Sequence, residues 1–84
     1  MSLRVLPIVT WSGRGQGESD EAIRKLEQAI GLSPGFAPAY RDLGRIYMRR
    51  REPEMGVRYY REYLELAPNA TDASTYRAIV ANYP

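Results

Sequence analysis

The stretch VTWSGRGQGESDE, residues 9–21, sets Gly13, Gly15 and Gly17 between an apolar run and the start of a helical pattern. Glycines in that place let backbone N–H groups close around a phosphate at a helix N-terminus, so the chemistry to test is nucleotide binding. The dinucleotide fingerprint needs Gly-x-Gly-x-x-Gly, and Glu18 stands where the third glycine belongs. Glu18, Asp20 and Glu21 then put three carboxylates where a pyrophosphate would sit, and they would repel it. No Lys-Ser or Lys-Thr pair completes a P-loop, and everything after residue 19 reads as helix, with no second strand. The glycines therefore read as a flexible lead-in. Ser19 is the expected N-cap, with Asp20 and Glu21 in the first turn.

Other chemistries are narrowed by what is missing. The chain has no cysteine and no histidine, which excludes disulfides, thiolate zinc sites, Cys–His nucleophiles and an imidazole base. Twelve basic residues face ten acidic ones, a net charge of +2, and eleven of the twelve are arginine. Guanidinium forks suit carboxylates and phosphates, and equally suit ion pairs on helix surfaces. The apolar run Val5 to Trp11, broken by Pro7 and Thr10, is far short of the ~20 residues a membrane span needs. It also lacks the features of a signal peptide, so location is left at a cytoplasmic default. At 84 residues the chain is one small domain, of a size that buries only about 60% of its unfolded surface.

Two prolines organise the elements that position these side chains. Pro34 and Pro68 each end an apolar helical segment, and they lie 34 residues apart. The same shift sets Ala22 on Gly56, Leu26 on Tyr60, Ile30 on Leu64 and Leu32 on Leu66, small on small and large on large. A period of this length belongs to a two-helix repeat. Apolar spacing predicts four helices near residues 20–32, 38–50, 54–66 and 71–82. Pro38 suits a first turn, Pro53 marks the turn before the third helix, and Asn69 or Thr71 would cap the fourth. Gly44 falls in mid-helix, where glycine costs ~1 kcal/mol against alanine, so a neighbouring helix is expected to approach closely there. Glu54, Arg58 and Glu62, and likewise Arg61 and Glu65, have the spacing of ion pairs along one helix.

Tyr40-x-x-Leu43-Gly44-x-x-Tyr47, then Gly56-x-x-x-Tyr60, then Pro68 resembles the tetratricopeptide repeat. Ala22, Leu26, Ala29 and Pro34 look like the second half of a preceding repeat. The resemblance covers about residues 20–70 and implies an all-α fold: a short array of antiparallel helix-turn-helix repeats, an α-solenoid of about one and a half units with a C-terminal capping helix over residues 71–83. The helical domain is then 19–84, after a flexible or extended N-terminal segment 1–18. Three positions depart from the pattern: Gly56 replaces an alanine, Tyr63 stands where a small residue is expected, and Arg51 replaces the turn glycine.

Such repeats stack with the first helix of each pair on the concave side. The family resemblance implies binding of a protein or peptide in that groove, with no catalysis and no cofactor. In this chain the groove stripe carries Arg41, Asp42, Arg45, Met48 and Arg49 from the second helix. The fourth helix would add Asp72, Thr75, Tyr76, Ile79 and Tyr83. Arg41, Arg45 and Arg49, four residues apart, form either a solvated basic face or a groove for an acidic peptide. The lysine and asparagine of the family's carboxylate clamp are not matched, because Asp42 is present and the second helix has no asparagine. A nucleic-acid-binding repeat, with Arg49, Arg50 and Arg51 as its basic cluster, and a non-catalytic piece of a larger enzyme are the alternatives. The cluster also suits the dipole of a helix C-terminus, which makes nucleic acid the weaker partner. The apolar face of the first helix, Ile23, Leu26 and Ile30, lacks a preceding helix. It is expected to be covered by residues 3–11 folding back or by a second copy, which makes the chain a candidate homo-oligomer.

Overall fold

A computed structural model describes the backbone of residues 2–83 and the side chains of residues 17–83. Four helices follow one another: α1 (Ser2–Leu32), α2 (Ala37–Arg49), α3 (Pro53–Leu66) and α4 (Ala73–Ala81). The described residues contain no strand, as an all-α repeat requires, and none of their helices is long and apolar enough to cross a membrane.

The prolines act where the sequence places them. A proline stands in the first turn of both α2 and α3, where its missing N–H removes no helical bond. Pro34 and Pro68 follow the ends of α1 and α3. Between α2 and α3 the Glu52 N–H bonds to the Tyr47 carbonyl and the Arg51 N–H to the Met48 carbonyl, a Schellman closure. Its pivot is Arg51, at φ 63°, a left-handed conformation that glycine adopts without strain.

Two helix starts differ from expectation. Gly17, Glu18 and Ser19 lie inside α1, so Ser19 is no N-cap and the helix does not begin near Asp20. A glycine raises the cost of a helix without forbidding it, and the preceding turn already provides carbonyls for these N–H groups. The proposed segment 1–18 concerns residues whose side chains, up to 16, lie outside those described. At α4 the residue before the helix is Asp72, in place of Asn69 or Thr71, and its side chain makes no capping bond. Its carboxylate is engaged elsewhere, as shown below.

The tightest packing is the crossing of α2 over α3. A Cβ on Gly44 would collide with the edge of the Tyr60 ring and lie 3.0 Å from the Gly56 carbonyl oxygen. A Cβ on Gly56 would fall 2.7 Å from Met48 Sδ and 3.0 Å from the Gly44 carbonyl oxygen. Each glycine thus receives a large side chain from the opposite helix. Leu43 and Ile46 of α2 form a core with Ile23 of α1, and Leu26, Ile30, Tyr47 and, from α3, Tyr59 pack around it. The 34-residue relation continues through this core. Ile23 and Val57 are both buried, and so are Ala39 and Ala73.

Gly44→Ala should lower stability by about 1–3 kcal/mol, the range for overpacking, although alanine is the better helix former. Arg51→Gly should raise it by roughly 0.5–1 kcal/mol, the left-handed strain relieved less the extra unfolded-state entropy of glycine. Denaturant melts of both variants check the two signs together.

Candidate functional site

The N-terminus of α4 meets α2 and α3 through three polar side chains. Tyr63 donates its hydroxyl proton to Asp72 Oδ1 at 2.5 Å, and Arg41 Nη1 lies 3.5 Å from Asp72 Oδ2. Arg41 Nε also donates to Asp42 Oδ1 at 3.3 Å, and its guanidinium stands 5.8 Å from the centre of the Tyr63 ring. The hydrogen bond to Asp72, then burial, then the charge of Asp72 raise the Tyr63 phenol above its ordinary 10.0, with Arg41 opposing. Burial opposes the Arg41 charge, but the hydrogen bond and charge of Asp42, together with Tyr63, outweigh it and raise the guanidinium. Tyr63 at a small-residue position is thus accommodated: its ring is buried and its polar tip has an acceptor. Tyr76 of α4 completes this seam, 4.6 Å from the Tyr60 ring centre and 5.6 Å, edge-on, from that of Tyr63.

The arginine row is therefore divided. Arg41 is half-buried and serves the α2–α4 contact, whereas Arg45 and Arg49 are exposed. Among the described residues neither Arg45 nor Arg49 forms an ion pair. They rim a cleft of about 430 Å³ between α1 and α2 whose apolar floor is Ala22, Leu26 and Ile46. Lys25 stands on the α1 rim, paired at 3.8 Å with Glu21, and among the described residues Asp42 is the carboxylate that lines the edge. Arg45 also lies near enough to Tyr60 to lower its phenol, against the stronger upward pull of burial and of Tyr76.

The other expected groove residues are spread over several contacts. Met48 lies against Gly56, and Tyr76 is part of the α3–α4 seam. Ile79 is half-buried and Tyr83 is largely exposed. Arg50, from the basic cluster, is fully engaged by protein. It donates to Asp20 at 2.6 Å, to Ser19 Oγ at 3.1 Å and to Glu52 at 3.3 Å, and stands over Tyr47. Those bonds tie the start of the repeat on α1 to the end of α2. The pairs expected along α3, Glu54 to Glu62 and Arg61 with Glu65, do not form among the described residues. Most of the observed ion pairs involve Arg41 and Arg50: Arg41–Asp72 and Arg50–Asp20 join neighbouring elements, Arg50–Glu52 closes the turn after α2, and Arg41–Asp42 lies within α2. Tyr63 and Lys25 are the site residues that sequence reasoning passed over. The one available signal was a buried tyrosine in need of an acceptor.

A tetratricopeptide repeat model matches residues 14–83, most of the chain. The chain belongs to the tetratricopeptide repeat family. Among curated proteins none matches it. Tetratricopeptide repeats generally mediate protein–protein interaction and are typically non-catalytic modules, so protein partners are the general expectation for this chain.

The polar contact at α4 has a pH signature. A phenol whose pKa is raised by folding stabilises the protein fully below its unfolded value and loses that contribution as pH rises through the folded value. Stability should therefore fall above about pH 10, with the raised Tyr59 and Tyr60 adding to the effect of Tyr63. Tyr63→Phe should cost about 1.5–3 kcal/mol at neutral pH, the range for hydrogen bonds to charged groups, and make the alkaline decline shallower. Thermal melts of both proteins across that pH range read the difference.

Proposed function

We propose that this tetratricopeptide repeat is a non-catalytic interaction module that binds an acidic segment of a partner protein through the exposed basic side of α2. The observation that supports this is the pair Arg45 and Arg49, solvent-exposed and without an acidic partner among the described residues, beside an apolar cleft. Exposed ion pairs contribute little to folding, so leaving these two guanidinium groups unpaired costs the fold almost nothing and keeps their donors free. Arg41 belongs to the expected groove by position, with Asp42 and Met48 beside it. Its bonds to Asp42 and Asp72 make it a flank of the surface, and Arg45 and Arg49 its centre. Tyr76, Ile79 and Tyr83 extend the surface on the α4 side as apolar contacts.

The test is titration of the isotope-labelled chain with a glutamate-rich peptide, followed residue by residue. Shifts should centre on Arg45 and Arg49. Arg45→Glu should weaken binding by about 1–3 kcal/mol, the range for charge-assisted hydrogen bonds, while Arg61→Glu on the exposed side of α3 should not. Equal affinity for all three proteins would return the arginines to a solvated face.

A further inference from the structure

The repeat itself shows what the α1–α2 cleft lacks. On α3, Gly56 and Tyr60 are buried because α2 lies over them, Met48 filling the space at Gly56 and Gly44 making room for Tyr60. Thirty-four residues earlier on α1, Ala22 and Leu26 occupy the same two positions and are only half-buried. They form the floor of the cleft instead. The opposite end of the array is different. The stripe of α4 that corresponds to Tyr40, Leu43, Gly44 and Tyr47 reads Ser74, Arg77, Ala78 and Ala81, small or charged, and is exposed. Among the described residues it is therefore the α1 side of α2 that presents an open apolar face of this shape.

From this symmetry and the charge of the rim we infer that the cleft between α1 and α2 receives an amphipathic helix of a partner protein, apolar on one face and acidic along its edges. The proposal deepens the reading of the chain as an interaction module and rests on it. The contact of α2 with α3 gives the docked helix its pattern. Gly44 over Tyr60 and Met48 over Gly56 form a small-x-x-x-large pair. The incoming helix accordingly carries a small residue over Leu26 and, four positions on, a large apolar residue over Ala22. On the rim Lys25 is already paired with Glu21 and Asp42 with Arg41, so the charge left over is that of Arg45 and Arg49, and the flanking positions of the docked helix are glutamate or aspartate. Acidic flanks also meet guanidinium groups that have no partner among the described residues, whereas basic flanks would add like charge to an already positive edge.

The probe is a stapled helical peptide with an Ala-x-x-x-Leu stripe and glutamate flanks, titrated against the full chain by fluorescence anisotropy. It is compared with the same helix carrying lysine flanks and with one carrying a serine stripe. Both controls should bind about ten-fold more weakly. Leu26→Ser in the chain should weaken the acidic helix to the same extent and leave the extended glutamate-rich peptide unaffected. Because Leu26 also touches the core, the exposed variant Arg49→Glu provides the second readout: it should weaken the acidic helix and strengthen the lysine-flanked one. If the extended peptide binds while the stapled helix shows no dependence on its stripe or on Leu26, the docked-helix inference is wrong and the interaction reading stands. If neither peptide binds, both are wrong. Sedimentation that shows a dimer dissociated by Arg49→Glu would assign the cleft to a second copy of the chain and overturn the proposal.

Discussion

The rest of the structure depends on the contact between two helices at Gly44 and Gly56. A Cβ at either position would crowd its neighbour: one on Gly44 would collide with the Tyr60 ring, one on Gly56 would press on Met48 Sδ, and each would stand 3.0 Å from the other's carbonyl oxygen. Two glycines inside helices cost ~1 kcal/mol each in propensity. A buried tyrosine, in contrast, removes about 150–250 Å² from water, worth roughly 4–6 kcal/mol at 25 cal/mol per Å². Seating Tyr60 in the space left by Gly44 therefore outweighs both glycines. Once Tyr60 is placed, the ring of Tyr76 can pack on it, and Tyr63, one turn further along, is aimed at the first residue before α4. The fourth helix, which lacks a side-chain cap of its own, is located by what this crossing holds in place.

The same crossing explains why the ends of a repeat array are unequal. Every second helix in the pattern offers a small residue and a large one to the helix that covers it, and every first helix offers the complementary pair. The covered surface of α3 and the open surface of α1 are thus the same surface by sequence, distinguished by a neighbour. In α4 the complementary stripe is replaced by Ser74 and Arg77, with Arg77 donating to the Pro68 carbonyl at 2.6 Å. An arginine where α2 has Leu43 makes that side compatible with water. No such replacement occurs in α1, where Ala22 and Leu26 keep apolar character that solvent does not reward.

Much of this was legible in the residues. The prolines, the 34-residue shift and the mid-helix glycine each follow from local rules, and they placed α2, α3 and α4 to within about two residues, the ordinary uncertainty of helix ends. Ser19 misled because an N-cap residue is recognised by its side chain, while a helix starts only where the backbone before it stops being helical. Asn69 and Thr71 misled for the converse reason. The residue at the start of α4 is an aspartate whose oxygens face Tyr63 and Arg41, and no spacing rule joins a side chain on α3 to one beyond the turn. The basic row was visible as a row. How its members divide was not, because the division is made by acids on other elements.

Arg41, Arg45 and Arg49 are equivalent by spacing and different in energy. An acid offered to Arg45 or Arg49 exchanges water for a carboxylate and displaces nothing from the protein. An acid offered to Arg41 competes with Asp42 and Asp72. Displacing Asp72 from the guanidinium leaves its charge with the Tyr63 hydroxyl alone and loosens one of the contacts that locate α4, beside the ring of Tyr76 and the Arg77 bond to the Pro68 carbonyl. A partly exposed ion pair at 3.5 Å contributes about 0–1 kcal/mol, comparable with what a new acid at the same guanidinium would contribute. Binding at Arg41 is therefore close to neutral in free energy and is coupled to the docking of α4, whereas binding at Arg45 and Arg49 is additive. The side of the surface nearest α1 is the one where ligand charge counts in full, and it is there that the apolar cleft opens.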